Sequence, residues 1–161
     1  MKMAGIHPLI IAAFAVAVAS GAFAAPDPPA PMPDPEKDKK LEQARAALDQ
    51  SDWRRAEALL GEAIARAPRD AEAHNLYAYA IRKGPSPRMD LVFRHYNEAL
   101  RLRPGHRGAH EYLGEAYLMT GNLAKAREHL AQLERLCNRS CEEHAKLQQA
   151  IDAAERQQAK Q

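Results

Sequence analysis

The chain has 161 residues, a net charge of +2 from 23 basic and 21 acidic side chains, 27% charged residues and only 6% aromatics. This is room for one domain with a tail or linker, and the near balance of charge excludes the strongly basic surface of a nucleic-acid binder. Two cysteines exclude a disulfide-dense mini-protein and a four-cysteine zinc site within one chain.

Residues 1–24 have the layout of a secretory signal peptide. Lys2 is the one early charge, an 11-residue apolar run extends from Leu9 to Ala19, and small residues at Ala22 and Ala24 frame a cut after Ala24. The run is short of the roughly 20 residues that span a bilayer. The expectation is therefore a cleaved signal, a periplasmic or secreted mature chain, and no stable membrane insertion after cleavage. An uncleaved N-terminal anchor is the alternative. In an oxidising compartment two cysteines pair more readily than they stay free.

Residues 25–36 hold six of the eleven prolines, at 26, 28, 29, 31, 33 and 35. Such density excludes a helix interior or a central strand and predicts a disordered or extended Pro-rich linker.

From Lys37 to Gln158 the pattern is helical, with apolar residues three and four apart and Gly and Pro only at intervals. Three segments align end to end, at about 37–70, 71–106 and 107–139. The first carries Trp53, Ala56, Leu60, Ala63 and Pro68 in its second helix. The second begins Ala71-Glu72-Ala73-His74-Asn75 and closes at Pro104. The third contains Leu113, Gly114, Tyr117, Gly121 and Ala126. Pro68 and Pro104 are 36 positions apart, with the surplus at the Gly84-Pro85-Ser86-Pro87 turn.

This arrangement resembles the tetratricopeptide repeat, a helix–turn–helix unit of 34 residues. The segments HRGAxEYLGEAY and CxxxCEE are also similar to small exported bacterial members of that family. The resemblance implies an all-α fold, a right-handed α-solenoid of three helix pairs with a C-terminal capping helix over 140–158. In the second repeat Ala78, Ile81 and Val92 stand where the pattern has Gly, Tyr and a small residue, which predicts looser packing of that pair. Ser140 and Glu143 read as a capping box for the last helix, and Ser51 as an N-cap. Leu147, Ala150, Ile151 and Ala154 make its apolar face.

Candidate chemistry is sparse. Cys137 and Cys141 flank a short turn, with His144 nearby. A structural disulfide clamping the cap is the expected state. A metal- or thiol-handling pair is the alternative reading, copper(I) or zinc being metals that accept such ligands. His74 and His110 share one repeat position, and His95 and His129 another, so packing or ancestry accounts for them better than a metal cluster. No nucleophile constellation, phosphate loop or metalloprotease motif is present. The expectation is a non-enzyme without cofactor, resident metal or nucleic-acid partner.

By the same resemblance, fixed positions of each first helix line a concave groove that takes a protein or peptide segment. On this chain they are Glu72, Asn75, Tyr79, Arg82 and Lys83 in repeat two. In repeat three they are Gly108, Glu111, Glu115, Leu118 and Met119. In repeat one they are Asp38, Leu41, Arg45, Leu48 and Asp49. Of these, Asn75, Tyr79, Arg82, Lys83, Glu111 and Glu115 are the candidate binding residues. A peptide carrying both charges, or a tail with a free carboxylate, would suit a groove with one basic and one acidic end. Alternatively Arg82 pairs with Glu111 or Glu115 and the groove is merely solvated.

Overall fold

The structure is a computed structural model that describes residues 35–160. The expected signal segment, and the expected linker up to residue 34, lie outside the described residues. Seven α-helices follow in order among those residues: α1 (Pro35–Asp49), α2 (Trp53–Arg66), α3 (Ala71–Lys83), α4 (Met89–Leu102), α5 (Arg107–Met119), α6 (Leu123–Cys137) and α7 (Glu142–Gln158). The first helix begins two residues before Lys37, with Pro35 as its first residue, where a missing N–H costs nothing.

Local chemistry sets the helix starts. Asp52 accepts from the Arg55 amide, Asp70 from those of Glu72 and Ala73, and Asn122 from that of Lys125. His106 does the same for α5, its Nδ1 accepting from the Ala109 amide at 3.3 Å. The two serine caps expected from the sequence are corrected. Asp52 caps α2, while Ser51 sits in the left-handed region at φ 57°. Cys141 occupies the N-cap of α7 without a side-chain bond, and the Ser140 hydroxyl donates instead to the Cys137 carbonyl at 2.6 Å. Glu143 turns outward to Arg107 at 3.5 Å, so no capping box forms. In both cases the turn spends the serine on the preceding helix end.

The helices pair as α1·α2, α3·α4 and α5·α6, and each second helix packs on the next first helix. Beyond that, α3 touches α5 and α5 packs on α7, while α2, α4 and α6 make no comparable contact with one another. Close approach on one side only curves the stack, and puts α3, α5 and α7 on its inner side.

The core divides into three clusters. The first is Ala44, Ala47, Ala56, Leu60, Leu76 and Ala80. The second is Ala78, Ile81, Val92, Tyr96, Leu113 and Ala116. The third is Ala126, Leu133, Leu147 and Ile151, covered by α7. Alanine is frequent because helix pairs approach closely there, which explains the low aromatic content. The looser packing expected of repeat two is not found. Ala78, Ile81 and Val92 are all buried, in one cluster with the fully buried Tyr96.

Gly114 has a different partner from that expected of a helix pair. A Cβ there would lie 2.6 Å and 2.7 Å from the two methyls of Leu147 on α7. The glycine is the seat for the capping helix. Arg88 and Glu57 form an ion pair that ties the start of α4 to α2.

Candidate functional site

Asn75, Tyr79 and Arg82 recur at i, i+4 and i+7 along α3, which places them on one helical face. Glu111 and Glu115 do the same on α5. The structure brings both sets to the α3–α5 contact on the inner side.

Asn75 is 3% exposed, and its Oδ1 has no hydrogen-bond partner. Its Nδ2 lies toward α5, 3.6 Å from where a Cβ on Gly108 would sit. A buried amide oxygen left unpaired costs about 1–3 kcal/mol, so this atom stands out as an acceptor without a donor.

Arg82 is already engaged inside the protein. It is 6% exposed. Its Nε donates to the Tyr96 hydroxyl at 3.3 Å, and its Nη2 meets Glu115 Oε2 at 2.7 Å. The guanidinium carbon lies 5.5 Å from the Tyr79 ring centre and 5.6 Å from that of Tyr112, within cation–π range. Burial works against its charge, but Tyr96 and Glu115 outweigh it and hold Arg82 firmly protonated. This is the Arg82–Glu115 pairing that the sequence offered as the alternative to a free groove cation.

Glu111 has the opposite situation. It is 4% exposed. Burial first, and then the neighbouring Glu115, push its carboxyl up to about 7, while Lys146 and Arg82 pull the other way and Glu143 adds to the rise. No hydrogen bond or ion pair among the described residues engages it. Tyr112 beside it is pushed up to about 12 by burial and by Glu111.

The remaining candidates separate. Lys83 is exposed at the end of α3. Glu72 is spoken for: Arg45 reaches its Oε1 at 2.6 Å and His106 its Oε2 at 2.8 Å. Since His106 Nδ1 accepts the Ala109 amide, its Nε2 carries the hydrogen that Glu72 accepts. The bond from His106, with help from Arg45, keeps Glu72 below the usual carboxylate range against the effect of its burial. One chain of contacts thus runs from α1 through α3 to the start of α5. Leu41 and Leu48 pack on the first core cluster and Leu118 on the third, so these three belong to the core. Met119 is 54% exposed, and its sulfur lies 3.9 Å from Arg82 Nη1. Sequence reasoning missed Tyr112. Its place directly after Glu111 was legible, but its stacking on Tyr79 at 4.7 Å depends on how α3 and α5 cross.

The repeated histidines pair within each repeat. His74 and His95 meet through their Nδ1 atoms at 2.8 Å, and His110 and His129 at 3.0 Å. The far nitrogen of the first member bonds the carbonyl of the preceding proline, Pro68 at 3.0 Å and Pro104 at 2.9 Å. A carbonyl only accepts, so His74 and His110 carry hydrogen on Nε2. His95 and His129 then donate from Nδ1. These pairs lock helix to helix. Among the described residues no group of three or more His, Cys, Asp or Glu is placed to hold a metal. The Cys137 and Cys141 sulfurs are 2.13 Å apart, at covalent distance, across a turn in which Asn138 and Arg139 are both left-handed.

The family model of the tetratricopeptide repeat matches residues 41–87 and 94–140. No curated protein sequence matches the chain. Among solved structures, the TPR2B domain of yeast Sti1 in its pHsp70 complex aligns with a TM-score of 0.67 at 22% identity, over 76% of this chain and 98% of that one. The Yersinia enterocolitica type III secretion chaperone SycD, in complex with a peptide of the translocator YopD, aligns at 0.65 and 13% identity, over 75% and 93%. The first TPR of Spaghetti, bound to the HSP90 peptide SRMEEVD, aligns at 0.62 and 16% identity, over 73% and 92%. At these identities the likeness establishes the fold. The two matched stretches cover more than half of the chain and the fold is an all-α solenoid, so the chain belongs to the tetratricopeptide repeat family.

Proposed function

We propose that the chain is an exported scaffold without catalytic activity, which holds an extended segment of a partner protein against the inner face of α3 and α5. The observation that carries this is the Asn75 amide, buried and with an acceptor that nothing in the fold satisfies. An extended backbone offers the N–H it lacks, and the half-buried Tyr79 and Tyr112 rings give flat apolar area beside it. The similar folds of Sti1, SycD and Spaghetti were each solved with a peptide or chaperone-partner complex, which supports the same use here.

Export rests on residues 1–24 and predicts a mature chain that begins at Ala25. Intact-mass measurement of the native protein tests it: a chain still carrying residues 1–24 would refute cleavage. In that compartment Cys137 and Cys141 form a structural disulfide, and thiol labelling of the native protein finds no reactive thiol. A labelled pair would favour a thiol- or metal-handling role instead.

The groove is tested by a crosslinked pull-down from the native envelope, with wild type beside an Asn75→Ala, Tyr79→Ala variant checked for fold by circular dichroism. A partner captured by wild type and lost in the variant supports the reading. Equal capture by both moves the site to another surface. Arg82 is left intact, because reversing a buried charge beside Glu115 would unfold the repeat.

A further inference from the structure

Two buried acceptors in the groove, on Asn75 and Glu111, are left without a donor. Arg82 is consumed by Glu115 and Tyr96. On α7, Lys146 pairs with Glu142 at 2.8 Å, and Arg107 at the head of α5 reaches Glu143. Arg82, Lys146 and Arg107 therefore already have an acid, while Lys83 stands exposed at the end of α3. Among the buried groups, what is left is the Glu111 carboxyl, 4% exposed and unpaired, and the Asn75 carbonyl oxygen, 3% exposed and unpaired. The ionised carboxylate and the amide carbonyl both accept hydrogen bonds. Neither stabilises the fold where it is, since a buried acceptor without a donor is a cost.

We infer that the groove selects a basic segment: an extended peptide whose backbone N–H fills Asn75 and whose lysine or arginine side chain fills Glu111. This rests on the groove reading above and specifies the charge of its ligand. It also corrects the expectation from sequence, which gave the groove a basic end able to grip a free carboxylate. Of that basic end, Arg82 is spent inside the protein, and Lys83 remains exposed at the end of α3. The chemistry is opposite in sign to that of the acidic peptide SRMEEVD held by the similar Spaghetti domain.

The recognition is physically economical. A carboxylate bonded to an ammonium or guanidinium forms a charge-assisted hydrogen bond, roughly twice as strong as a neutral one. The aliphatic stem of the same side chain covers ring surface while its head stays polar, and the Tyr79 and Tyr112 rings stand 4.7 Å apart beside the site.

The test uses the mature chain and a spotted library of random dodecapeptides with both ends blocked, so that side chains alone provide charge. Bound peptides are expected to be enriched several-fold in lysine and arginine over aspartate and glutamate. Glu111→Gln is expected to weaken a selected basic peptide about tenfold, the effect of one charge-assisted bond, and to flatten the charge preference. Asn75→Ala is expected to weaken all bound peptides, whatever their charge. Should Glu111→Gln fail to fold, Glu111→Asp serves in its place: it keeps the charge, and the basic preference should persist with lower affinity. Enrichment in acidic peptides that Tyr79→Ala abolishes would overturn the charge inference and leave the groove reading standing. A basic preference untouched by Glu111→Gln would also overturn it, by placing the acid elsewhere. Absence of binding to any peptide would overturn both.

Discussion

Glu111 and His129 are both titratable groups whose charged forms the fold disfavours, and they bias stability in opposite directions with pH. Burial and Glu115 raise Glu111 from 4.5 to about 7. Between these values the unfolded chain has already lost a proton that the folded chain keeps, so rising pH destabilises the fold across that window. Glu111→Gln removes this penalty. Its melting temperature should exceed wild type by several degrees at pH 8, corresponding to about 2 kcal/mol, and match it at pH 4; a variant less stable at pH 8 would mean that Glu111 has a stabilising partner after all. Burial and then His110 lower His129 from 6.5 to about 4, and His95 and His110 are lowered by burial too. Here the unfolded chain takes up protons that the folded chain refuses, so stability falls as pH drops from about 7 towards 4. His129→Phe keeps the ring against Tyr117 but leaves His110 Nδ1 without its donor. It should cost about 1 kcal/mol at pH 7 and show a shallower loss of stability between pH 7 and 5 in thermal melts. The histidine repetition was visible in the sequence. That the two positions face each other across a helix pair was not, because the facing depends on the crossing of α3 with α4 and α5 with α6.

Among the elements, α7 is the one whose attachment can be measured by itself. It is held by Leu147 over Gly114, by Ile151, and by the cysteine turn. Gly114→Ala puts a methyl 2.6 Å from a methyl of the fully buried Leu147, so that side chain must shift inside a packed core. The expected cost is about 1–3 kcal/mol, read as faster amide exchange confined to α7. Leu147→Ala should cost about 2–4 kcal/mol alone, and the double variant less than the sum, because the added methyl then occupies the vacated space. Additive costs would mean that the two residues do not touch. A Cys137–Cys141 disulfide, as proposed above, would close only a short loop in the unfolded chain, so reductant should lower stability by only about 2 kcal/mol, seen as a melting shift of several degrees; no shift would place the thiols in the reduced state beforehand. Helix limits and the cap's apolar face were legible, since Leu147 and Ile151 repeat at helical spacing. The caps at Ser51 and Ser140 were misread because serine's preference for that position is local, while the tight turns on either side spend those residues on left-handed backbone and on the Cys137 carbonyl.

For the whole molecule, the decisive quantity is which charges the stacking of repeats uses up. Arg45, Glu72 and His106 come from three successive first helices and bind one another. His106→Ala removes both the α5 cap and that link, and should cost about 1–2 kcal/mol by denaturant unfolding, where an unchanged midpoint would make the contact decorative. The sequence alone determined that the chain is helical and built of three repeats and a cap, because those properties follow from periodicity and from small residues at fixed intervals; which positions of each first helix line the groove came only from the resemblance to the repeat family. Only the tertiary structure decided that Arg82 is spent on Glu115, that Leu41, Leu48 and Leu118 serve the core, that Gly114 seats Leu147, and that Glu111 and Asn75 are left unpaired. Periodicity gives the face a side chain lies on. Its partner is set by the angle and offset between helices from different repeats, and those are fixed by packing across the whole solenoid.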